Sequence, residues 1–291
     1  MNTNKDAGLE EEPFVFHCEG EELIAILNRV DNEKTGVLIV VGGPQYRVGS
    51  HRQFTLLARM LANNDIPVMR FDYRGMGDSA GGFRDFEDVG KDIREAVDVF
   101  FARQPHLERI VLWGLCDAAS AALFYAHQDE RVSGLVLLNP WVRTRQGLNE
   151  THIRNYYTKR IRDIDFWKSL IKGKLKISSL LGFVRDITTW IKNKLSNAIP
   201  TNASEEEFSQ SLPDRMLRGL KLFNGEILLI ISGQDLTADE FIRVSSAVKW
   251  QHEFERCHTR KIFIDDANHT FSSKNWRAQV ETATLEWVEQ L

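Results

Sequence analysis

The sequence predicts a doubly wound α/β fold with a mostly parallel sheet and an inserted helical lid. Short apolar runs rich in Val, Ile and Leu recur along the chain, which is typical of parallel strands covered on both faces. Longer segments with helical periodicity separate these runs. One further region has helical patterning but little strand character, and it interrupts the alternation.

The order of these elements places the expected ligand site. The strand candidates are residues 22–28, 36–41, 67–71, 110–113, 134–138, 227–231 and 261–264. The helix candidates are residues 51–63, 85–103, 118–128, 239–249 and 277–290. In a sheet built this way the ligand binds at the carboxyl ends of the strands.

The interrupting region is strongly basic. Residues 143–194 contain 13 Lys and Arg against four acidic residues, so their net charge is +9 and the rest of the chain carries −13. We predict a helical lid over residues 141–224, and a core formed by residues 1–140 and 225–291. The basic face is either a solvated helix surface or an attachment point for an anionic membrane or a lipid-linked substrate.

Composition excludes several classes of function. With 43% hydrophobic and 27% charged residues and a net charge of −4, the chain is typical of a globular protein and gives no reason to expect nucleic-acid binding. It has neither the HExxH pattern, nor clustered cysteines, nor a phosphate-binding loop of the GxxxxGK[ST] type, so we expect no metal and no cofactor.

Location is predicted from the cysteines and the N-terminus. Cys18, Cys116 and Cys257 are far apart, which favours reduced thiols in a cytoplasmic protein. The polar, acidic N-terminal stretch has no apolar signal region, and no run of 18 apolar residues occurs. We therefore expect a cytoplasmic protein, with the basic lid as a possible peripheral contact to the inner membrane.

A candidate nucleophile follows the fourth strand candidate. The stretch RIVLWGLCDAAS is a buried strand, a turn with Cys116 at its apex, and the start of a helix. Gly114 and Ala118 are small enough to let strand and helix approach each other, as a nucleophile on a sharp strand-to-helix turn requires. The alternative is that Cys116 is a small core residue.

An acid and a base follow later strands in the order that such a catalytic triad needs. Asp235 follows the strand EILLIISG, and His269 follows the strand KIFIDD. Asp239 and Asp265 are alternatives for the acid, and a surface or helix-capping role is the alternative for His269. The predicted triad is Cys116, His269 and Asp235.

Two backbone N–H groups are needed to stabilise the oxyanion. One is expected from Asp117, which follows the nucleophile. The second is expected from Gly43 or Gln45, in the turn after the strand at 36–41, because Pro44 has no N–H. A competing interpretation is that Gly42, Gly43 and Pro44 only shape a tight turn.

The segment MRFDYRGMGDSAGGF resembles the Asp-x-Arg-Gly-x-Gly-x-Ser loop of lipase-like and aminopeptidase-like α/β hydrolases. The residues that carry this likeness, which we interpret as loop scaffold, are Asp72, Arg74, Gly75, Gly77 and Ser79. Together with VVGGPQYRVGSHRQF and GLCDAAS, it resembles more narrowly the type 1 exosortase A system-associated hydrolases. That resemblance implies a hydrolase encoded beside exosortase and exopolysaccharide genes, with no substrate attached.

These observations predict an enzyme that cleaves an ester or thioester of a small-molecule or lipid-linked acyl substrate through an acyl-enzyme. One alternative is an acyltransferase that uses the same Cys116. Another is a non-catalytic binding partner that retains the fold.

Overall fold

The computed structural model describes residues 11–31, 33–43, 45–142 and 211–291. Eight strands form one sheet in the order β1-β2-β4-β3-β5-β6-β7-β8. The strands are β1 Glu11–Cys18, β2 Glu21–Asn28, β3 Thr35–Val40, β4 Val68–Phe71, β5 Arg109–Leu115, β6 Val132–Leu138, β7 Glu226–Gln234 and β8 Arg260–Asn268. β1 and β2 run antiparallel to their neighbours, whereas β4, β3 and β5 to β8 are mutually parallel. The predicted α/β class is confirmed.

Seven α-helices occur in the described residues. They are α1 Gln53–Ala62, α2 Gly90–Arg103, α3 Asp117–Tyr125, α4 Leu212–Leu222, α5 Leu236–Ser245, α6 Val248–Arg256 and α7 Lys274–Val288. α1 packs beside α7, and α2 packs beside α3. Each strand from β3 onward therefore delivers its carboxyl end to one edge of a sheet flanked by helices.

Three elements differ from the sequence-based expectations. β1 was not among the strand candidates; it is an edge strand in which only two of eight residues are buried, and its apolar run, residues 14–16, is short. The helix expected over residues 239–249 is two helices, α5 and α6. The helix expected over residues 85–103 begins at Gly90, after a 3₁₀ turn at Phe86–Asp88.

The core is centred on β3 and β5. All six residues of β3 are buried, and so are the last six of β5. Trp113 of β5 packs edge-to-face on Phe54 of α1, with ring centroids 5.5 Å apart. Its indole N–H donates to Thr284 Oγ1 of α7 at 3.4 Å. This packing anchors the strand that carries Cys116.

The predicted lid, 141–224, falls for the most part on residues 143–210, which lie outside the described residues. Its last part is described as α4, which groups with the sheet in one compact unit. Among the described residues, no helix has both the length and the apolar character that a membrane span requires.

Candidate active site

Cys116 occupies the turn between β5 and α3, as its sequence position predicts. Its backbone has φ 63° and ψ −123°, a conformation that costs a non-glycine residue about 1–3 kcal/mol. The surrounding backbone holds it there. The Cys116 N–H donates to Leu138 O at 2.8 Å, and its carbonyl accepts the Trp141 N–H at 3.1 Å. Its side chain is half-buried, and its thiol forms no disulfide.

Close contact between β5 and α3 explains the small residues beside Cys116. A Cβ added to Gly114 would lie 2.7 Å from backbone atoms of Ala118 and Ala119. Cβ atoms do not come this close to other non-bonded heavy atoms in proteins. Only glycine therefore lets the strand meet the first turn of α3. This sharp turn is the geometry from which a nucleophile projects at the edge of the sheet.

Asp235 and His269 meet at the same edge, as expected. The Nδ1 atom of His269 lies 2.7 Å from Oδ2 of Asp235. Asp235 follows β7 and begins α5, where its carboxylate accepts the N–H groups of Thr237 and Ala238 at 3.2 Å each. Both carboxylate oxygens are thus engaged, and the side chain is only 9% exposed.

The two alternative acids lie elsewhere. Asp239 is one turn into α5, and Asp265 is within β8; both side chains are exposed. The carboxylate that contacts the imidazole is that of Asp235. His269 itself directly follows β8 and is half-buried rather than a surface residue.

Asn139 is a site residue that the sequence analysis missed. It follows β6 with φ 42° and is fully buried. Its amide donates to the carbonyl of His269 at 3.1 Å and to Ser232 Oγ at 2.9 Å, and its oxygen accepts the Ser232 N–H at 2.9 Å. Asn139 therefore ties β6, β7 and the His269 loop together. An Asn directly after a buried strand was the only signal available.

The predicted oxyanion donors lie close to a carboxylate. The Gly43 N–H donates to Oδ2 of Asp117 at 2.8 Å, and the Ala118 N–H donates to Oδ1 at 3.0 Å. The Gln45 N–H donates to Gly42 O at 3.2 Å. Burial raises the pKa of Asp117 to about 6, against the lowering effect of the Gly43 and Ala118 hydrogen bonds.

The loop after β4 is held by its own polar groups. Asp72 accepts the Arg47 N–H at 2.6 Å and the Asp78 N–H at 3.1 Å, and it forms an ion pair with the Arg47 guanidinium. Ser79 Oγ donates to Asp72 O at 2.6 Å and accepts the Ile24 N–H at 2.9 Å. This network supports the scaffold role expected for the loop.

In the part of the chain that the structure describes, no set of three or more His, Cys, Asp or Glu side chains could hold a metal ion.

Similar proteins agree with this architecture. The serine aminopeptidase, S33 family model matches residues 33–240, which is more than half of the chain. That range includes Cys116 and Asp235 and ends before His269. No curated protein sequence matches the chain significantly.

Several solved structures share the fold. The Pyrococcus furiosus esterase Pf2001 matches with a TM-score of 0.64 and 18% identity, covering 100% of this chain and 94% of its own. Est1E of Butyrivibrio proteoclasticus, bound to ferulic acid, matches with a TM-score of 0.60 and 14% identity, covering 95% of this chain and 98% of its own. DcsB, in complex with its substrate analogue, matches at 0.60 and 15%, covering 96% and 99%. The chain belongs to the serine aminopeptidase, S33 family and is a hydrolase with the α/β-hydrolase fold.

Proposed function

We propose that the chain cleaves an ester or thioester bond with Cys116 as nucleophile, His269 as base and Asp235 as the orienting acid. The observation that carries this proposal is the 2.7 Å contact between His269 Nδ1 and Asp235 Oδ2, on the sheet edge where β5 presents Cys116. A carboxylate on Nδ1 fixes the imidazole tautomer and leaves Nε2 to exchange a proton with the nucleophile.

The reaction would proceed in two halves. Nε2 of His269 takes the Sγ proton of Cys116, and the thiolate attacks the carbonyl carbon. The tetrahedral intermediate then expels the alcohol or thiol, which leaves with the proton from Nε2. Water, deprotonated by the same nitrogen, attacks the thioester and forms a second tetrahedral intermediate. This intermediate collapses to release the acid, and Nε2 returns its proton to Sγ to restore the thiol. The N-terminal end of α3 favours the thiolate over the thiol.

The oxyanion would be stabilised by the Asp117 N–H and by a second donor from the turn after β3. Gly43 and Gln45 remain the proposed sources. In the resting protein both N–H groups have protein acceptors, Asp117 Oδ2 and Gly42 O respectively. The Gln45 contact is the longer of the two, at 3.2 Å against 2.8 Å. We therefore favour Gln45 as the donor that turns toward the substrate.

The ester or thioester class is supported by two kinds of observation. The structurally similar Pf2001 is named an esterase, and cysteine at the turn forms thioester intermediates readily because its thiolate is a strong nucleophile. We further propose a small-molecule or lipid-linked acyl substrate and a link to an exosortase or exopolysaccharide system. That link rests on the sequence resemblance alone.

The basic segment 143–194 supports one more proposal, an anionic membrane surface as partner. Its net charge of +9 would attract anionic lipids at low salt. Co-sedimentation with phosphatidylglycerol vesicles, compared with phosphatidylcholine vesicles, tests this. Loss of binding when Lys168, Lys172, Lys174 and Lys176 are replaced is the expected result, and equal binding to both vesicles would exclude it.

Hydrolysis of p-nitrophenyl esters and matching acyl thioesters of increasing chain length tests the proposed function. Cys116→Ala and His269→Ala should each lower kcat/KM by about 10³-fold or more. Cys257→Ala, which removes a buried thiol far from the turn, is the matched control and should retain activity. Activity that survives Cys116→Ala would rule out the proposed nucleophile. Competition by added alcohols or sugars for the acyl group would indicate acyl transfer instead of hydrolysis.

A further inference from the structure

The Asp117 side chain connects the two halves of the proposed oxyanion site. Its Oδ2 accepts the N–H of Gly43, which is 74 residues earlier in the chain, at 2.8 Å. Its Oδ1 accepts the N–H of Ala118 at 3.0 Å. One carboxylate thus joins the turn after β3 to the first turn of α3, directly beside the nucleophile.

The Asp117 carboxylate is buried and packs closely against Gly42. Asp117 is only 9% exposed. A Cβ added to Gly42 would overlap Asp117 Oδ1, and it would lie 2.8 Å from the Ala118 nitrogen. Glycine at position 42 is therefore what admits the carboxylate, so the turn and the side chain fit each other as a pair.

A carboxylate beside Cys116 that had no function would only hinder the proposed reaction. A buried negative charge next to Cys116 opposes both the thiolate and the oxyanion that the proposed reaction generates. The Asp117 carboxylate offsets this cost by accepting the N–H groups of Gly43 and Ala118.

We propose that Asp117 is a positioning residue of the reaction, whose carboxylate clamps the turn after β3 through the Gly43 N–H. The clamp keeps that turn in register with the Asp117 N–H, so that both sides of the oxyanion site are in place before substrate binds. The inference rests on the proposed function, because an oxyanion forms only if Cys116 attacks a carbonyl.

Two reactions of the same thiol separate positioning from other roles. Acylation of Cys116 by p-nitrophenyl acetate passes through an oxyanion, whereas alkylation by iodoacetamide displaces iodide at a CH₂ group and does not. In Asp117→Ala the acylation rate should fall by about 10²-fold, which is the loss that a displacement of a catalytic group by about 1 Å can cause. The alkylation rate should stay equal or rise, because a negative charge beside the thiolate has been removed.

Asp117→Asn and Asp85→Asn complete the comparison. Asn has one acceptor oxygen, so it keeps one of the two N–H partners, and its acylation rate should lie between those of the parent and Asp117→Ala. Asp85 is an acidic neighbour that raises the pKa of Asp117, and its replacement leaves the Gly43 contact intact. Asp85→Asn should match the parent. Unchanged or faster acylation in Asp117→Ala overturns the clamp, the faster rate because it would mean that the carboxylate competes with the oxyanion.

Hydrogen exchange of the Gly43 amide tests the clamp without any substrate. The exchange rate, read by NMR, should rise at least tenfold in Asp117→Ala and stay unchanged in Asp85→Asn. Equal exchange in the parent and Asp117→Ala overturns the clamp. If the parent is never acylated, the proposed function fails while the amide exchange still decides the clamp, so the two failures are distinguishable.

Discussion

The Asp235 carboxylate has two roles at once: Oδ2 lies 2.7 Å from His269 Nδ1, and the same group caps α5 through the N–H groups of Thr237 and Ala238. Because the proposed catalytic acid also forms the helix start, the orientation of its carboxylate is tied to the stability of α5. The capping bonds hold the carboxylate in place, so that the imidazole meets a side chain with little freedom left to lose.

Asp235→Asn should separate these two roles. Asn is a good helix-capping residue, so the free energy of unfolding should change by less than about 0.5 kcal/mol. Activity should fall by about 10³-fold or more, because an amide stabilises the imidazolium less and can present its NH₂ group to Nδ1. Asp235→Ala should lose the same activity and also about 1 kcal/mol of stability. Ester kinetics and urea denaturation of the two variants check this, and equal stability of both would contradict the capping role.

Cys116→Gly should be more stable than Cys116→Ala. Alanine keeps the Cβ that is unfavourable at φ 63° and ψ −123°, whereas glycine adopts this conformation without strain. Relief of about 1–3 kcal/mol of strain, less the flexibility that glycine adds to the unfolded chain, leaves about 1 kcal/mol. Chemical denaturation of the two inactive variants measures the difference. A less stable Gly variant would show that the turn is not strained.

Asp117 should make stability fall as pH rises. Its pKa is raised from 3.8 to about 6 in the folded protein, so the folded state holds a proton that the unfolded state releases. The stabilisation is fully present below about pH 4 and is lost as pH rises to about 6, by an amount on the order of 2–3 kcal/mol. Urea denaturation of the parent and Asp117→Asn from pH 4 to 7 tests this. The difference between the two curves should change across that window, and a constant difference would contradict the raised pKa.

The buried ion pair between Arg74 and Asp92 should be essential for folding stability. Arg74 is 2% exposed and Asp92 is fully buried, and Asp92 accepts the Arg74 backbone N–H, Nε and Nη2, each at 2.9 Å. Asp92→Ala leaves the buried guanidinium to pair with Glu19, which is 44% exposed, and should cost about 3–5 kcal/mol.

Asp98→Ala is the matched control for that prediction. Asp98 pairs with Arg131 at the surface, and Arg131 keeps its second partner, Asp129. Its loss should cost less than about 1 kcal/mol. Similar thermal midpoints for the Asp92 and Asp98 variants would contradict the importance of the buried pair.

The parallel part of the sheet was predictable from sequence because each of its strands contains a local run of apolar residues. β3 and β7 contain continuous apolar runs, and Cys116 and Asp235 each follow the end of such a strand. That proximity in sequence to a strand end was enough to place both at one edge. The meeting of Asp235 with His269 then followed from the parallel direction of β7 and β8.

Other features were not predictable because they depend on contacts between distant parts of the chain. β1 is an edge strand with a short apolar run and two buried residues, and its eight residues pair with β2. The contact of Asp117 with Gly43 and that of Asn139 with His269 join loops from different strands. The sequence indicated Gly43, Asp117 and His269 as site residues for other reasons, but it marked neither of these two contacts, and Asn139 alone looks like an ordinary turn residue.

The mass of the intact protein after brief exposure to p-nitrophenyl acetate near neutral pH tests the central claim most directly. The parent should gain one acetyl group on Cys116 and lose it again with time. Cys116→Ala should gain none, and His269→Ala should gain it at least about 10²-fold more slowly. A parent protein that gains no acetyl on Cys116, under conditions that acetylate a simple thiol, would contradict a cysteine nucleophile in this fold.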